Sequence, residues 1–342
     1  MSAAVVELRS DTFTKPTPEM LEAMLRAEVG DDVWGEDPSV RALEELASRR
    51  FGQEAGAFFP SGTMANQAAL AVHLRPGEEV ICADAAHIHL YEGGGIAANA
   101  GATTHLVASD RGRFKAEAAE AAIKPDDPHA PRTRLIAVED TCNRGGGAVW
   151  EDQDLDALAA LARSRSLGLH LDGARVLNRI VARNDDPAVY GRRFDSISVC
   201  LSKGLGAPVG SVLLGTARFI AEARRVRKRL GGGLRQAGYL AAAGIYALDQ
   251  HVSRLADDHR RARDLAAALD ASPAIREVLP TETNIVIFEP EGPIDAMLDH
   301  LREHGVRAAG MAGRVRFVTH LGVDDEGLER ALSAIRSFRA TT

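Results

Sequence analysis

Apolar and polar positions alternate along this chain in two rhythms. Short runs of Val, Ile, Leu, Phe and Ala, bounded by turn residues, predict strands over 56–60, 79–83, 103–108, 134–139, 167–172, 195–201 and 211–215. Between several of them lie stretches with apolar residues at helical spacing, such as 40–51 and 153–165. Continuous apolar strands separated by helices imply a mainly parallel sheet covered on both faces. From about residue 236 the pattern becomes one long alanine-rich helix reaching about 269. A second unit follows: strand 284–288, helix 293–304, strand 315–319 and a closing helix from Asp325. The expected organisation is an N-terminal segment 1–15, a large α/β domain 16–250 with a seven-stranded, mainly parallel sheet, and a small C-terminal α/β domain 251–342.

Composition narrows the classes. At 342 residues and 45% hydrophobic content, the chain is long enough for one large and one smaller domain. A net charge of −7 argues against a general nucleic-acid partner. The local basic cluster Arg224, Arg225, Arg227, Lys228 and Arg229 reads as a solvated helix face. Three well-separated cysteines, Cys82, Cys142 and Cys200, exclude a disulfide framework and a cysteine-rich zinc site, and fit a reducing cytoplasm. No metal site is expected. The charged start (Glu7, Arg9, Asp11) offers no signal-peptide core, and no apolar stretch approaches a membrane span.

In parallel sheets, ligands bind beyond the carboxyl ends of the strands. The run 167–172 ends in Asp172-Gly-Ala-Arg175, and the run 195–201 leads into Ser202-Lys-Gly-Leu-Gly206. A carboxylate, an arginine and a lysine at the ends of adjacent strands are what pyridoxal 5′-phosphate needs. The lysine forms a Schiff base, the carboxylate keeps the pyridine nitrogen protonated, and the arginine stays charged near the phenolate. Ser61-Gly-Thr-Met64 opens a helix after a strand, so Gly62 and Thr63 offer backbone N–H groups to a phosphate. The same pattern also reads as an ordinary helix cap.

His87, just after another strand, can stack on a cofactor ring or take a proton. His89 reads as a surface residue. His170 shares a strand face with Asp172, either supporting that carboxylate or packing in the core. Arg316, in an otherwise apolar strand, needs an anion and suits a substrate carboxylate, whereas Arg314 is nearer the strand start and solvated.

These residues resemble the low-specificity L-threonine aldolases, pyridoxal phosphate enzymes of fold type I (the aspartate aminotransferase-like fold). The resemblance runs in order through Leu8-Arg-Ser-Asp-Thr12, Gly30-Asp-Asp-Val33, Glu36-Asp-Pro38, Ser61-Gly-Thr-Met64, His87 with Tyr91-Glu-Gly-Gly94, Asp172-Gly-Ala-Arg175, Ser202-Lys-Gly-Leu-Gly206, Gly231-Gly-Gly-Leu-Arg-Gln-Ala-Gly238 and Arg316-Phe-Val-Thr-His320. It implies an aldehyde-lyase cleaving L-threonine, L-allo-threonine and related β-hydroxy amino acids to glycine and an aldehyde.

By that resemblance Lys203 carries the cofactor, Asp172 meets the pyridine nitrogen, Arg175 the phenolic oxygen, and His87 stacks on the ring. Gly62 and Thr63 hold the phosphate, with Arg235 reaching a phosphate in a neighbouring subunit. Ser10 and Arg316, with Arg175, serve the substrate, and His87 or His129 is the base for the β-hydroxyl. The family is also tetrameric, a dimer of dimers with shared active sites. Where the family reads Glu-Asn-Thr-His-Asn, this chain has Glu139-Asp-Thr-Cys-Asn143, so Asp140 and Cys142 replace an amide and an imidazole expected near the pocket. His129 is the expected second pocket histidine. The competing readings are a β-eliminating lyase of the same fold and a non-catalytic pyridoxal-binding regulator.

Overall fold

The computed structural model describes residues 5–339. A short strand β1 (Val6–Glu7) opens the described chain. The large sheet takes its seven strands from β2 (Ala55–Phe59), β3 (Glu78–Ala83), β4 (Thr103–Val107), β5 (Arg132–Glu139), β6 (Gly168–Gly173), β7 (Ser196–Cys200) and β8 (Ser211–Gly215). Their order is β2-β8-β7-β6-β5-β3-β4. Five strands run parallel from β7 to β4, while β8 is antiparallel to both neighbours. Each strand lies within two residues of the run expected from the apolar pattern, because strands buried on both faces leave continuous apolar runs. In β2, Ala57 and Phe59 enter one apolar cluster with Leu213 and the helix Ala217–Arg229, while Phe58 enters the main core on the other face.

The C-terminal unit builds a four-stranded antiparallel sheet from β9 (Ile275–Val278), β10 (Ile285–Pro290), β12 (Ala309–Met311) and β13 (Arg314–Val318), in the order β12-β13-β10-β9. The remaining strand, β11 (Val306–Arg307), pairs in parallel with β1. Val6 and Leu8 therefore pack in the same core as Phe288, Phe317 and Ile335, so the N-terminal segment is anchored on the small domain.

The expected continuous helix from 236 to 269 is interrupted. The structure has helices Gly238–Tyr246 and Leu255–Asp270, with a π-helical turn Ala247–His251 and a break between them. The break has local partners: His251 Nδ1 lies 2.7 Å from the Leu205 carbonyl, and Arg254 donates to the Gly204 carbonyl at 3.3 Å. Both acceptors belong to the turn after Lys203, so the irregular turn braces the loop that carries the lysine. Within the second helix the core changes hands: Leu255 packs in the large domain and Ala262 in the small one.

Candidate active site

Strand register brings the candidate residues to one edge. Phe59 and Cys200 both pair with Ser211, Asp172 pairs with Ser198, and Glu139 pairs with Asp172. The carboxyl ends of β2, β7, β6 and β5 thus lie on one edge of the sheet, with Asp172 at the end of β6 and Gly62, Lys203 and Asn143 just beyond the other three. Lys203 is half-buried in a turn closed by Gly206, whose φ of +80° and contact with Leu321 leave no room for a Cβ. Among the described residues its ammonium has no hydrogen-bond partner, while its backbone carbonyl accepts from the Thr14 hydroxyl at 2.8 Å.

The N-terminal segment crosses the cleft. Arg9 gives its carbonyl to Arg316 Nη2 at 2.8 Å, and Thr14 holds the Lys203 turn. Between them Asp11 forms a two-armed pair with Arg175, Nε to Oδ2 and Nη2 to Oδ1, both at 2.7 Å. Burial alone would raise the Asp11 carboxyl, but the Arg175 guanidinium outweighs it and holds the acid at about 2. Arg175 and Arg316 also converge on one acceptor, Asn143 Oδ1, at 3.3 and 3.0 Å. Burial, and next the neighbouring Arg175, depress the Arg316 guanidinium, and its buried Nε has no partner. An unsatisfied guanidinium N–H beside a second guanidinium has the features an anion needs. Ser10, Thr12, His87, Tyr91, Asn143 and Met311 are among the residues that line this cleft of about 320 Å³ with Arg175, Lys203 and Arg316.

Asp172 is buried, with Oδ1 accepting from the Ala174 N–H at 3.1 Å and Oδ2 from Asn66 Nδ2 at 2.9 Å. His87 donates its backbone N–H to Glu139 at 2.8 Å, and its Nδ1 lies 3.0 Å from Glu92 Oε1. Burial would lower the His87 ring's proton affinity, but the Glu92 hydrogen bond and the Asp172 and Glu139 charges raise it above the ordinary value. Burial, and then Asp172, push the Glu139 carboxyl up. One ring nitrogen of His87 and one oxygen each of Glu92 and Asp172 lie within 4.8 Å of one another.

The expected phosphate seat has the features an anion needs. Ser61 caps the helix Gly62–His73 by accepting from the Met64 N–H at 3.2 Å. Beside it, the Ser211 hydroxyl is buried without a partner, and a Cβ on Gly62 would stand 3.4 Å from it. An orphaned hydroxyl at a helix start suits a phosphate oxygen. With Lys203 and Asp172 on the same edge, the residues present fit pyridoxal phosphate. Arg235 is exposed and pairs with Asp31 at 2.9 Å.

Two groups of expected residues are not brought to the cleft within this chain. His129 lies before β5, at the opposite edge from the cleft; its side chain is 93% exposed and bonded to Asp127 at 2.8 Å. Strand direction explains this, since β5 runs from Arg132 to Glu139 and only its far end reaches the site. Asp140 and Cys142 do not face the cleft either. Asp140 is buried against Tyr190 and Arg179, and the Cys142 thiol donates to the Glu139 carbonyl at 3.0 Å. Burial, and then Glu139 and Asp140, hold the Cys142 thiol well above its ordinary value. Sequence reasoning assigned no role to Asp11, Asn66, Glu92 and Asn143. Asp11 and Glu92 lie inside the resembling segments, and Asn143 closes the segment that departs from the family.

This fold and this convergence define a pyridoxal phosphate enzyme of fold type I. The β-eliminating lyase family matches residues 7–291. The chain is 42% identical to a probable low-specificity L-threonine aldolase 2 of Arabidopsis thaliana, over 97% of each chain. It is 41% identical to a low specificity L-threonine aldolase of Escherichia coli (strain K12), over 98% of this chain and 100% of that one. A solved threonine aldolase of Leishmania major superposes with a TM-score of 0.84 at 21% identity, covering 97% of this chain and 98% of that one, which speaks for the fold. The chain belongs to the β-eliminating lyase family, and the two relatives just named, at 42% and 41% identity, are low-specificity L-threonine aldolases.

Proposed function

We propose that this chain is a pyridoxal phosphate-dependent aldolase that cleaves L-threonine, L-allo-threonine and related L-β-hydroxy-α-amino acids to glycine and an aldehyde. The observation that carries the reading is the pair of cations, Arg175 and Arg316, beside an unpaired lysine. A carboxylate gripped there stands next to the amine that must hold the cofactor. When bound, the cofactor supplies an electron sink for the pair released at Cα.

This chain's own residues do the rest. Asp172, held at both oxygens, meets the pyridine nitrogen, and Arg175 the phenolic oxygen. Gly62 and Thr63 take the phosphate at the helix start, and Arg235 reaches a phosphate in a neighbouring subunit. Arg316 and Ser10 grip the substrate carboxylate, and fixing that group sets the torsion about Cα so that the bond to Cβ is presented for cleavage. His87 would pack on the ring of the bound cofactor. With Glu92 holding Nδ1–H, its Nε2 is free to take the β-hydroxyl proton, directly or through water.

In this reading the enzyme acts in threonine breakdown and glycine formation in the cytoplasm, a compartment its free cysteines suit. It assembles as a homotetramer, a dimer of dimers. The exposure of Leu25 and Trp34, 76% each, and of Arg235 supports a covered surface in the assembly. The deciding experiment incubates the cofactor-loaded enzyme with L-threonine and identifies the products. Glycine and acetaldehyde in equal amounts support the aldolase; ammonia and a 2-oxo acid indicate a β-eliminating lyase instead.

A further inference from the structure

A buried polar chain leads away from the site and is not used by the reaction as described. Asn66 Nδ2 stands 2.9 Å from both Asp172 Oδ2 and Glu92 Oε1. Carboxylates only accept, so both amide hydrogens are spent there and the orientation of the amide is fixed. Asn66 Oδ1 therefore faces His170 Nε2, 3.2 Å away, which must carry a proton. His170 is buried and His73 half-buried, and desolvation depresses them to about 4 and about 3, so each ring is neutral. With its proton on Nε2, His170 Nδ1 accepts from the Ser196 hydroxyl at 2.8 Å. That hydroxyl has no second hydrogen, so it accepts from His73 Nε2 at 2.7 Å. Every proton in the chain His73–Ser196–His170–Asn66 points toward the two carboxylates.

We infer that Asn66 is a positioning residue that locks Asp172 and, through Glu92, His87, with its own amide held in register by the His73–Ser196–His170 chain. Glu92 Oε1 accepts from Asn66 and faces His87 Nδ1 at once, so one amide ties the Asp172 carboxylate to the His87 ring through Glu92. The roles of Asp172 and His87 rest on the function proposed above; the hydrogen-bond chain does not. Asn66→Asp keeps the shape and the acceptor for His170 but replaces the shared donor with a negative group. Asn66→Ala removes donor and acceptor together. The groups facing His87 are then the carboxylates of Glu92, Asp172 and Glu139 with no amide between the first two, and the ring holds its proton more tightly.

The experiment is histidine-selective 15N NMR on the full-length chain, with and without bound cofactor. Unmodified protein is expected to show His73 and His170 as neutral rings protonated at Nε2 at pH 8. In cofactor-free Asn66→Asp or Asn66→Ala, the His87 titration is expected to rise by about one pH unit, the usual scale for an uncompensated neighbouring charge. A merely structural role would not produce that shift. A proton on Nδ1 of His170, or an unmoved His87 titration in a folded variant, overturns the inference. If neither variant folds, the tautomers of the unmodified protein decide alone. If the enzyme does not cleave threonine, the function proposed above fails while these readouts still judge Asn66.

Discussion

Asp11 and Arg175 meet through two hydrogen bonds of 2.7 Å, with the Arg175 side chain 5% and the Asp11 side chain 0% exposed. The pair links the N-terminal segment, anchored on the small domain, to the end of β6 in the large one. It also gives Arg175 a permanent counter-charge, so the guanidinium remains charged and oriented beside Lys203 before any ligand arrives.

Breaking that pair is therefore costly. Asp11→Ala leaves a buried guanidinium without its carboxylate and is expected to lower stability by about 3–5 kcal/mol, measured by denaturant unfolding of the cofactor-free protein. The pH dependence has a fixed sign. The folded Asp11 carboxyl sits at about 2 against an ordinary 3.8, so its contribution, about 2 kcal/mol, is complete above 3.8 and disappears as pH falls toward 2. Asp11→Asn should lack that part of the acid transition. An unchanged acid limb would show the pair to be energetically idle.

Arg316→Ala removes the arm with the unpaired Nε. KM for threonine is expected to rise and kcat to fall together, since the same contact binds and orients the substrate. Cofactor affinity, followed by the visible absorption of the bound cofactor, should be unaffected. Loss of cofactor with normal substrate kinetics would assign Arg316 to the cofactor phosphate.

The two histidines that the sequence placed together should behave oppositely. His87→Ala is expected to cost 10²–10⁴-fold in kcat, the usual contribution of a positioned acid–base group. His129→Ala should stay within about twofold of the parent, as surface substitutions do. Because the carboxylates around His87 raise it, the alkaline-rising limb of kcat/KM should lie above the ordinary histidine value of 6.5. A large loss from His129→Ala would mean that the loop before β5 reaches a cleft in the assembled enzyme.

Discrimination at Cβ should be weak. One histidine face and the backbone of β12 around Gly310 border the cleft, and among the described residues no second imidazole lines it. The kcat/KM values for L-threonine and L-allo-threonine are expected to differ by the roughly 1–3 kcal/mol that small pocket differences supply. A preference beyond about a thousandfold would contradict this and point to a hydroxyl acceptor at a defined position, with Asn143 the first to test.

Much of the fold could be read from the sequence because buried parallel strands write themselves as apolar runs, and Lys203, Asp172 and Gly62 fall at their ends. The short strands β1, β9, β11 and β12 could not be read, since two to four residues carry too little period to register. The long helix was read as continuous because nothing local marks its break; the break is made by His251 and Arg254 reaching a loop some fifty residues away. Asn66, Glu92, Asn143 and Asp11 escaped for the same reason, their roles existing only once distant segments meet. His129 precedes β5, whose direction carries it to the edge of this chain's sheet away from the cleft.

Lys203 is proposed to hold the cofactor. Reduction of the pyridoxal phosphate-loaded enzyme with borohydride, followed by peptide mapping, is expected to place the pyridoxyl group on Lys203, and Lys203→Ala should lose both the visible band and threonine cleavage. A pyridoxyl group fixed to any other lysine, or wild-type cleavage by Lys203→Ala, would contradict the account.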